Sequence, residues 1–439
     1  MIDRLIKWMD SSTCNLLAVD TIVKELENAG FTQLNPAEAW HIEPNGKYFM
    51  TRNGTAVFAL VAGTEAPCEG GFNIVASHSD SPALKIKPNA EIYCEGGLVK
   101  LNVEKYGGGI LYTWFDRPLS FSGRVALRSE NPLEPDIRLI DLKKQICTIP
   151  HLAIHFNRAV NEGNPISVQR DMLPVAGIFS ADEIAAMKAA GGLVKKLLAD
   201  ELGVDTKDIL DYELNLYPVE QAARCGVHGE FLQSGRIDDL SMAFASLQAL
   251  LDTCDTPSRH TRVVAVFDNE ETGSGTKQGA HSPVLANMLE RVSNSLSAAS
   301  NADARESFHR ALSRSFLVSA DDAHAWHPNY DSKFDPTNHP QMGGGPVVKI
   351  NANCKYMTDA DGSAVFRSLC EKAGVPCQTF VNHSDVAGGS TLGNILTGQL
   401  DIRGVDVGNP IWAMHSARET ASCADHIAMT AALKTFFLI

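Results

Sequence analysis

The chain predicts an α/β protein, a mixed sheet sandwiched by helices, with a β-rich domain inserted into it. Three observations lead there. Apolar strand-like runs alternate with helical patterns before residue 90 and again after residue 233. Between those positions the pattern changes to short β-like pieces and Gly-rich turns. The 439 residues also exceed what one simple core serves. The main domain is therefore expected at 1–89 and 234–439, discontinuous in sequence, and the inserted domain at 90–233.

Taken in order, Val19, Ile22, Val23 and Leu26 fall at helical spacing, and Gly30 is a natural stop. TAVFALVAG (55–63) and FNIVASHSD (72–80) read as strands. In the middle block LYTWF, GRVALR, RLIDL and HLAIHF read as β-like pieces around turns such as YGGG (106–109). One helix is well signalled there. Ser180 and Glu183 form a capping box, Ile184, Met187, Leu193 and Leu197 continue it, and Gly203 closes it. After residue 234 a helix is expected over 241–251, with strands at 263–268, 316–321, 347–351 and 405–410. Alternation of this kind implies helices on both faces of the sheet.

Composition excludes several classes. Hydrophobic residues at 44% and charged residues at 21% are ordinary for a globular protein. No apolar run reaches the ~18 residues of a membrane span, and the start, MIDRLIKWMDSS, lacks the apolar stretch of a signal peptide. A formal charge of −14 argues against nucleic-acid or membrane-surface partners. It also means that an anionic substrate needs a local cation. The ten cysteines are scattered without a CxxC pair, which fits free thiols in a reducing compartment, and the cytoplasm is the expected location.

The chemistry gathers at strand ends, where α/β sheets hold their ligands. In VASHSDSP, His78 and Asp80 point the same way along an extended chain, so Asp80 is placed to orient the ring of His78. In GRIDDLS, Asp238 and Asp239 precede a helix. One can serve as its N-cap, which leaves the other for a cation. VVAVFDNEETGSG runs a buried strand into Glu270 and Glu271, two adjacent charges that are costly to bury without a cation. One can coordinate while the other accepts a proton, and Gly273, Ser274 and Gly275 let the chain turn away. Asp321 ends the FLVSAD strand, and His324 and His327 follow at a spacing that suits substrate contact. His415, after the VDV strand, is by itself more often a satisfied core residue than a ligand. Together these are N/O donors with no cysteine, which favours Zn²⁺, Mn²⁺ or Co²⁺.

The ordered set HSDSP, RIDDL, DNEETGS, SADDAHAWHPNY, GGPVVKIN and AMHSARE resembles the M18 family of aspartyl aminopeptidases. The resemblance runs the full length and includes YGGG, WFDRPLS and HLAIHFNRAVNEG. It implies a phosphorylase/hydrolase-like fold whose main domain is a metallopeptidase and whose inserted β-rich domain serves dimerisation or as a lid. It also implies a tetrahedral homo-dodecamer with enclosed active sites. By the motifs, His78 and Asp321 hold one metal, Glu271 and His415 the other, and Asp238 bridges both. Glu270 is the general base, Asp80 orients His78, and the Asp238–Asp239 peptide bond is expected to be cis. Two departures are small: HSD stands where the family often has HTD, and His383 stands where relatives carry Arg.

The resemblance further implies release of N-terminal Asp or Glu from peptides, two divalent ions (most simply Zn²⁺), and Lys349 as the pocket cation with Tyr356 nearby. His155, from the inserted domain, is a substrate-binding candidate able to reach a neighbouring subunit. His339 lies in NYDSKFDPTNHPQMGGGP (329–346), a turn-rich stretch read as a mobile flap. The competing expectations are a two-metal aminopeptidase of neutral or broad specificity and a catalytically silent assembly protein. A neutral-residue enzyme has no need of Lys349, and a silent metal site has no need of a second glutamate.

Overall fold

The computed structural model describes residues 1–297 and 303–439. Two compact units result: 1–80 with 222–414 and 419–439, and 81–221 with 415–418.

The first unit is built on a nine-stranded mixed sheet. From one edge its strands are Thr32–Gln33, Lys47–Arg52, Ala56–Val61, Thr261–Phe267, Phe72–His78, Phe316–Ala320, Arg403–Gly408, Val347–Ile350 and Gln378–Val381. The four strands from Thr261–Phe267 to Arg403–Gly408 run parallel, so their carboxyl ends share one edge of the sheet. Their side chains alternate between two cores. Val57, Ala59, Val61, Val75, Val264 and Val318 face helices Ile2–Ser11, Asn15–Asn28, Ile237–Thr253 and Cys423–Phe437. Phe58, Leu60, Ile74, Val263 and Leu317 face the opposite layer, which includes helix Val284–Ser297. Strands buried on both faces read as largely apolar runs; Ala56–Val61 is wholly apolar, while Arg262, Asn73 and Asp406 are buried polar exceptions within the other strands. A smaller five-stranded sheet joins Ala223–Cys225, Phe231–Ser234, Glu419–Ser422, Pro410–Trp412 and Ala323–His324.

The second unit is a six-stranded antiparallel sheet in the order Asp136–Asp141, Leu119–Leu127, Ile209–Pro218, Ala83–Tyr93, Leu98–Tyr106 and Val175–Ile178. Its boundaries differ from the expected 90 and 233 for a pairing reason. The strand that begins at Ala83 pairs within this sheet, while Phe231–Ser234 pairs with Glu419–Ser422 of the first unit.

Local expectations fare unevenly. The helix through Val19–Leu26, the expected strands of the main sheet and the Ser180–Glu183 capping box are all present, while the helix Ile2–Ser11 was not signalled. The capped helix, however, stops at Ala189 and a second one runs Leu193–Leu202, because Gly191 and Gly192 adopt φ of 86° and 120°. LYTWF forms a 3₁₀ turn over Leu111–Trp114 rather than a strand, and HLAIHF forms turns. In both, apolar composition suggested pairing that no neighbouring strand supplies. Pro410–Trp412 and Glu419–Ser422 are strands that periodicity did not signal.

Candidate metal centre

His78 ends its strand opposite Phe267, the last residue of the neighbouring parallel strand. Its ring is 1% exposed. Nδ1 lies 3.0 Å from the backbone carbonyl of Asp80 and 3.3 Å from its carboxylate. A proton on Nδ1 donated to that carbonyl leaves Nε2 as the acceptor, turned toward carboxylates. Nε2 stands 3.4 Å from Asp238 Oδ1, 3.9 Å from Asp321 Oδ1 and 4.0 Å from Asp239 Oδ2. One ligand atom from each of His78, Asp238, Asp239 and Asp321 falls within a 4.8 Å span, and all four residues are buried.

Asp80 does more than orient the ring. Its carboxylate accepts the backbone N–H of Glu270 (3.1 Å) and of Glu271 (3.2 Å). The turn carrying both glutamates is thus clamped by one buried side chain. The turn itself is a 3₁₀ segment, Glu270–Thr272, between Asn269 at φ 63° and Gly273 at φ 90°. Ser274 also has positive φ. Glu271 reaches within 4.8 Å of Asp238.

The peptide bond between Asp238 and Asp239 is cis, as expected. Both aspartates lie in the first turn of the helix Ile237–Thr253, whose N-cap position is Arg236 and not either of them; both have non-helical backbone angles, and Asp239 Oδ2 accepts the N–H of His78 at 3.0 Å. Asp239 Oδ1 has no hydrogen-bond partner among the described residues. Sequence reasoning gave Asp239 only a capping alternative and left out two more buried carboxylates. Asp322 accepts the Ser241 hydroxyl at 2.8 Å, and Glu419 accepts the Asp238 N–H at 3.1 Å. Asp239 and Asp322 carried a sequence signal, since each follows a candidate ligand directly; Glu419 carried none.

So many buried carboxylates disturb one another. Burial first, then neighbouring anions, pushes Asp239 and Asp322 well above the ordinary carboxylate range. Burial likewise raises Glu270 to about 8, with Asp321, Asp238 and Asp80 adding to the rise and His78 offsetting it. Burial opposes a charge on His78, yet Asp239, Asp238, Asp321 and Asp80 outweigh it and hold the imidazole well above its usual value. An excess of buried oxygen donors around one imidazole, with an orphaned carboxylate oxygen among them, fits a divalent cation.

Lys349 is 2% exposed on its strand. Its Nζ donates to the Asp322 carbonyl at 3.0 Å, lies 3.4 Å from Asp321 Oδ2, and sits 5.5 Å from the centre of the Tyr356 ring. Burial works against its charge, but Asp321, Tyr356, Asp406 and Asp238 more than compensate, so the ammonium is held above its usual pKa. Tyr356 is buried beside it.

The histidines separate into different places. His324 and His327 border a small cleft of about 190 Å³ with Phe380, Asn382, His383 and Trp412. His339 accepts no place in that cleft; its Nδ1 lies 2.6 Å from the Asp335 carbonyl and its ring 6.1 Å from Trp326. His155 is exposed in the turn-rich stretch of the second unit. His415 sits at φ 68° in the segment grouped with that unit, its Nδ1 3.3 Å from the Gly108 carbonyl of YGGG.

A buried histidine–carboxylate cluster at the carboxyl ends of parallel strands defines the class, a metal-dependent hydrolase on an α/β sheet. The chain belongs to the M18 family: the model described as aminopeptidase I zinc metalloprotease (M18) matches residues 8–437. It is an aminopeptidase of that family. A probable M18 family aminopeptidase 2 of Clostridium novyi is 46% identical over 99% of this chain and 98% of its own length. A namesake from Pseudomonas aeruginosa is 40% identical, with 99% and 97% covered. Among solved structures, the complex of Ape4 and Nbr1 matches with a TM-score of 0.93 at 34% identity, over 99% of this chain and 84% of that one. The S. cerevisiae mApe1 dodecamer matches at 0.86 and 25%, over 99% and 96%. Among the described residues no helix is long and apolar enough to cross a membrane.

Proposed function

We propose that the protein is a two-metal aminopeptidase that releases acidic residues, Asp or Glu, from peptide N-termini. In this reading His78 and Asp321 would hold one divalent ion, Glu271 and His415 a second, with Asp238 shared. Zinc is the family's metal, and Mn²⁺ or Co²⁺ suits the same N/O donors. Ions held there supply Lewis-acid polarisation of the scissile carbonyl and acidify water. Glu270 takes the proton of the attacking water and passes it to the leaving amine. Asp80 fixes both glutamates through their backbone N–H groups and holds His78 in the tautomer that presents Nε2. His327 or His324, at the cleft, positions the substrate carbonyl, and His339 lies in the adjoining 329–346 segment.

The observation that carries the acidic specificity is a charged lysine, Lys349, kept buried beside Asp321 in a chain of net charge −14. The same geometry favours a second reading, neutral or broad specificity, because Lys349 already engages Asp321 and the Asp322 carbonyl. Matched Asp-, Glu- and Leu-anilides, assayed after chelation and again with Zn²⁺, Mn²⁺ or Co²⁺ restored, separate the two. Metal-dependent release from Asp or Glu and hardly from Leu is expected, and Lys349→Leu should raise KM for the acidic anilides far more than for Leu. Preference for Leu discards the lysine pocket and keeps the metal chemistry. No activity with any metal leaves a silent assembly protein.

By the same reasoning the chain forms a homo-dodecamer like mApe1, its inserted domain serving dimerisation or as a lid and offering His155 to a neighbour's substrate. Ten free cysteines support a reducing, cytoplasmic setting.

A further inference from the structure

A second cleft in the first unit, about 510 Å³, has no part in the chemistry above. Its apolar wall is Trp40, Met50 and Met288, with Val284 at the start of the helix Val284–Ser297. Arg52, Lys277 and Arg291 border it against a single carboxylate, Glu290. In a chain of net charge −14 that local balance is inverted. The volume lies in the range of roughly 300–1,000 Å³ that small organic ligands occupy.

Two of the three cations are uncommitted. Among the described residues Arg52 and Lys277 have no ion-pair partner, and both are exposed at the rim. Arg291 is committed: it donates to the carbonyls of Pro36 (2.9 Å) and Glu38 and stacks 3.7 Å over the Trp40 ring. The indole is pinned from its other end too, its Nε1 donating to the Asn35 carbonyl at 2.9 Å. The aromatic wall is therefore already ordered, and a ligand would not bear the entropy of fixing it. Lys277 is held in place by its neighbour, since Gln278 Nε2 donates to Asn269 Oδ1 at 2.9 Å and the Gln278 carbonyl accepts the Asp268 N–H at 3.2 Å.

We propose that this cleft binds an organic anion with a flat apolar body, an aromatic carboxylate being the simplest case. The body lies against Trp40, Met50 and Met288, and the charge meets Arg52 and Lys277. Dispersion and burial hold the ring; the two unpaired cations select the sign of the charge.

The test uses the full chain and two probes of equal shape, 4-phenylbutyrate and 4-phenylbutylamine, titrated by calorimetry. The acid should bind and the amine should not compete. Arg52→Gln with Lys277→Gln should weaken the acid about tenfold, which is the combined effect expected of two rim charges at ~0.7 kcal/mol each. Both side chains are exposed, so folding is retained; the single variant Lys277→Glu repeats the test with the charge reversed. Failure of the acid to bind, equal binding of acid and amine, or unchanged affinity in these variants overturns the proposal. Anilide turnover in the same variants stays at the parent level, so this result is independent of the metal centre.

Discussion

Glu270 and Glu271 differ by one position and by everything around them. Glu271 approaches Asp238, whereas Glu270 is the carboxylate that burial raises to about 8. Glu270→Gln keeps the size and the clamp from Asp80 but removes the proton acceptor. Metal content measured by atomic absorption should stay at the parent level while kcat falls about 100- to 10,000-fold, the usual share of general-base catalysis. Undiminished turnover would remove Glu270 from the mechanism. A second residue tests stability alone. His426 is 2% exposed, its ring 5.6 Å from that of Phe244, and neither nitrogen has a hydrogen-bond partner among the described residues. Burial first, then the N-terminal amine, lowers it to about 4. The folded state therefore refuses a proton that the unfolded chain accepts near its ordinary 6.5. The associated stability is complete above that value and disappears as pH falls toward 4, by about 3 kcal/mol in total. In urea titrations His426→Leu should lose that part of the acid slope between pH 6.5 and 4; a slope equal to the parent's refutes the account.

At the scale of elements, the 329–346 stretch looks mobile in sequence and is clasped in the structure. Asp425, buried in the first turn of the C-terminal helix, accepts the N–H groups of Gly343 and Gly345 at 2.7 Å each. Gln378 adds bonds to both backbone groups of Gln341 and to the Gly345 carbonyl. Further along, Trp326 donates through its backbone to the Pro340 carbonyl at 2.7 Å and through Nε1 to Asp331. Gly345 must be glycine, for its φ is 88° and a Cβ would meet the Pro376 carbonyl oxygen at 2.5 Å. Removing the carboxylate should leave two N–H groups without their acceptor. Asp425→Ala is expected to lose about 2–4 kcal/mol of stability and to admit protease cleavage within 329–346. Asp425→Asn, which retains one acceptor oxygen, should lose less. Equal protease resistance in the Ala variant would show that the clasp does not order this segment.

For the whole molecule, the carboxyl ends of the parallel strands collect more negative charge than the fold neutralises by itself. His78, Asp238, Asp239 and Asp321 are all buried within one 4.8 Å group. Binding to the folded state alone stabilises it by about 2.7 kcal/mol at a hundredfold excess over Kd. Dialysis against chelator should therefore lower Tm by about 3 °C, with recovery on adding Zn²⁺ but not Na⁺. An unchanged Tm would mean that the buried carboxylates are satisfied by their own protons.

Much of this was legible before any coordinates. Apolar-rich runs ending in His78, Asp321 and the Glu270–Glu271 pair located both the parallel sheet and the candidate ligands, because a strand buried on two faces is dominated by apolar residues and the polar groups that serve a site gather at its carboxyl end. The capping box at Ser180 and the stop at Gly30 are local devices and read correctly for that reason. What depended on distant pairing did not read. HLAIHF and LYTWF look like strands and find no partner, while Glu419–Ser422 is a strand only because Phe231–Ser234 lies beside it. Tertiary structure alone decided that Asp80 clamps the glutamate turn, that Asp239 answers the His78 N–H, and that Lys349 is buried against Asp321. Residue types and their order along the chain determine which donors are available. Their distances come from strands and loops far apart in sequence, which no local pattern encodes.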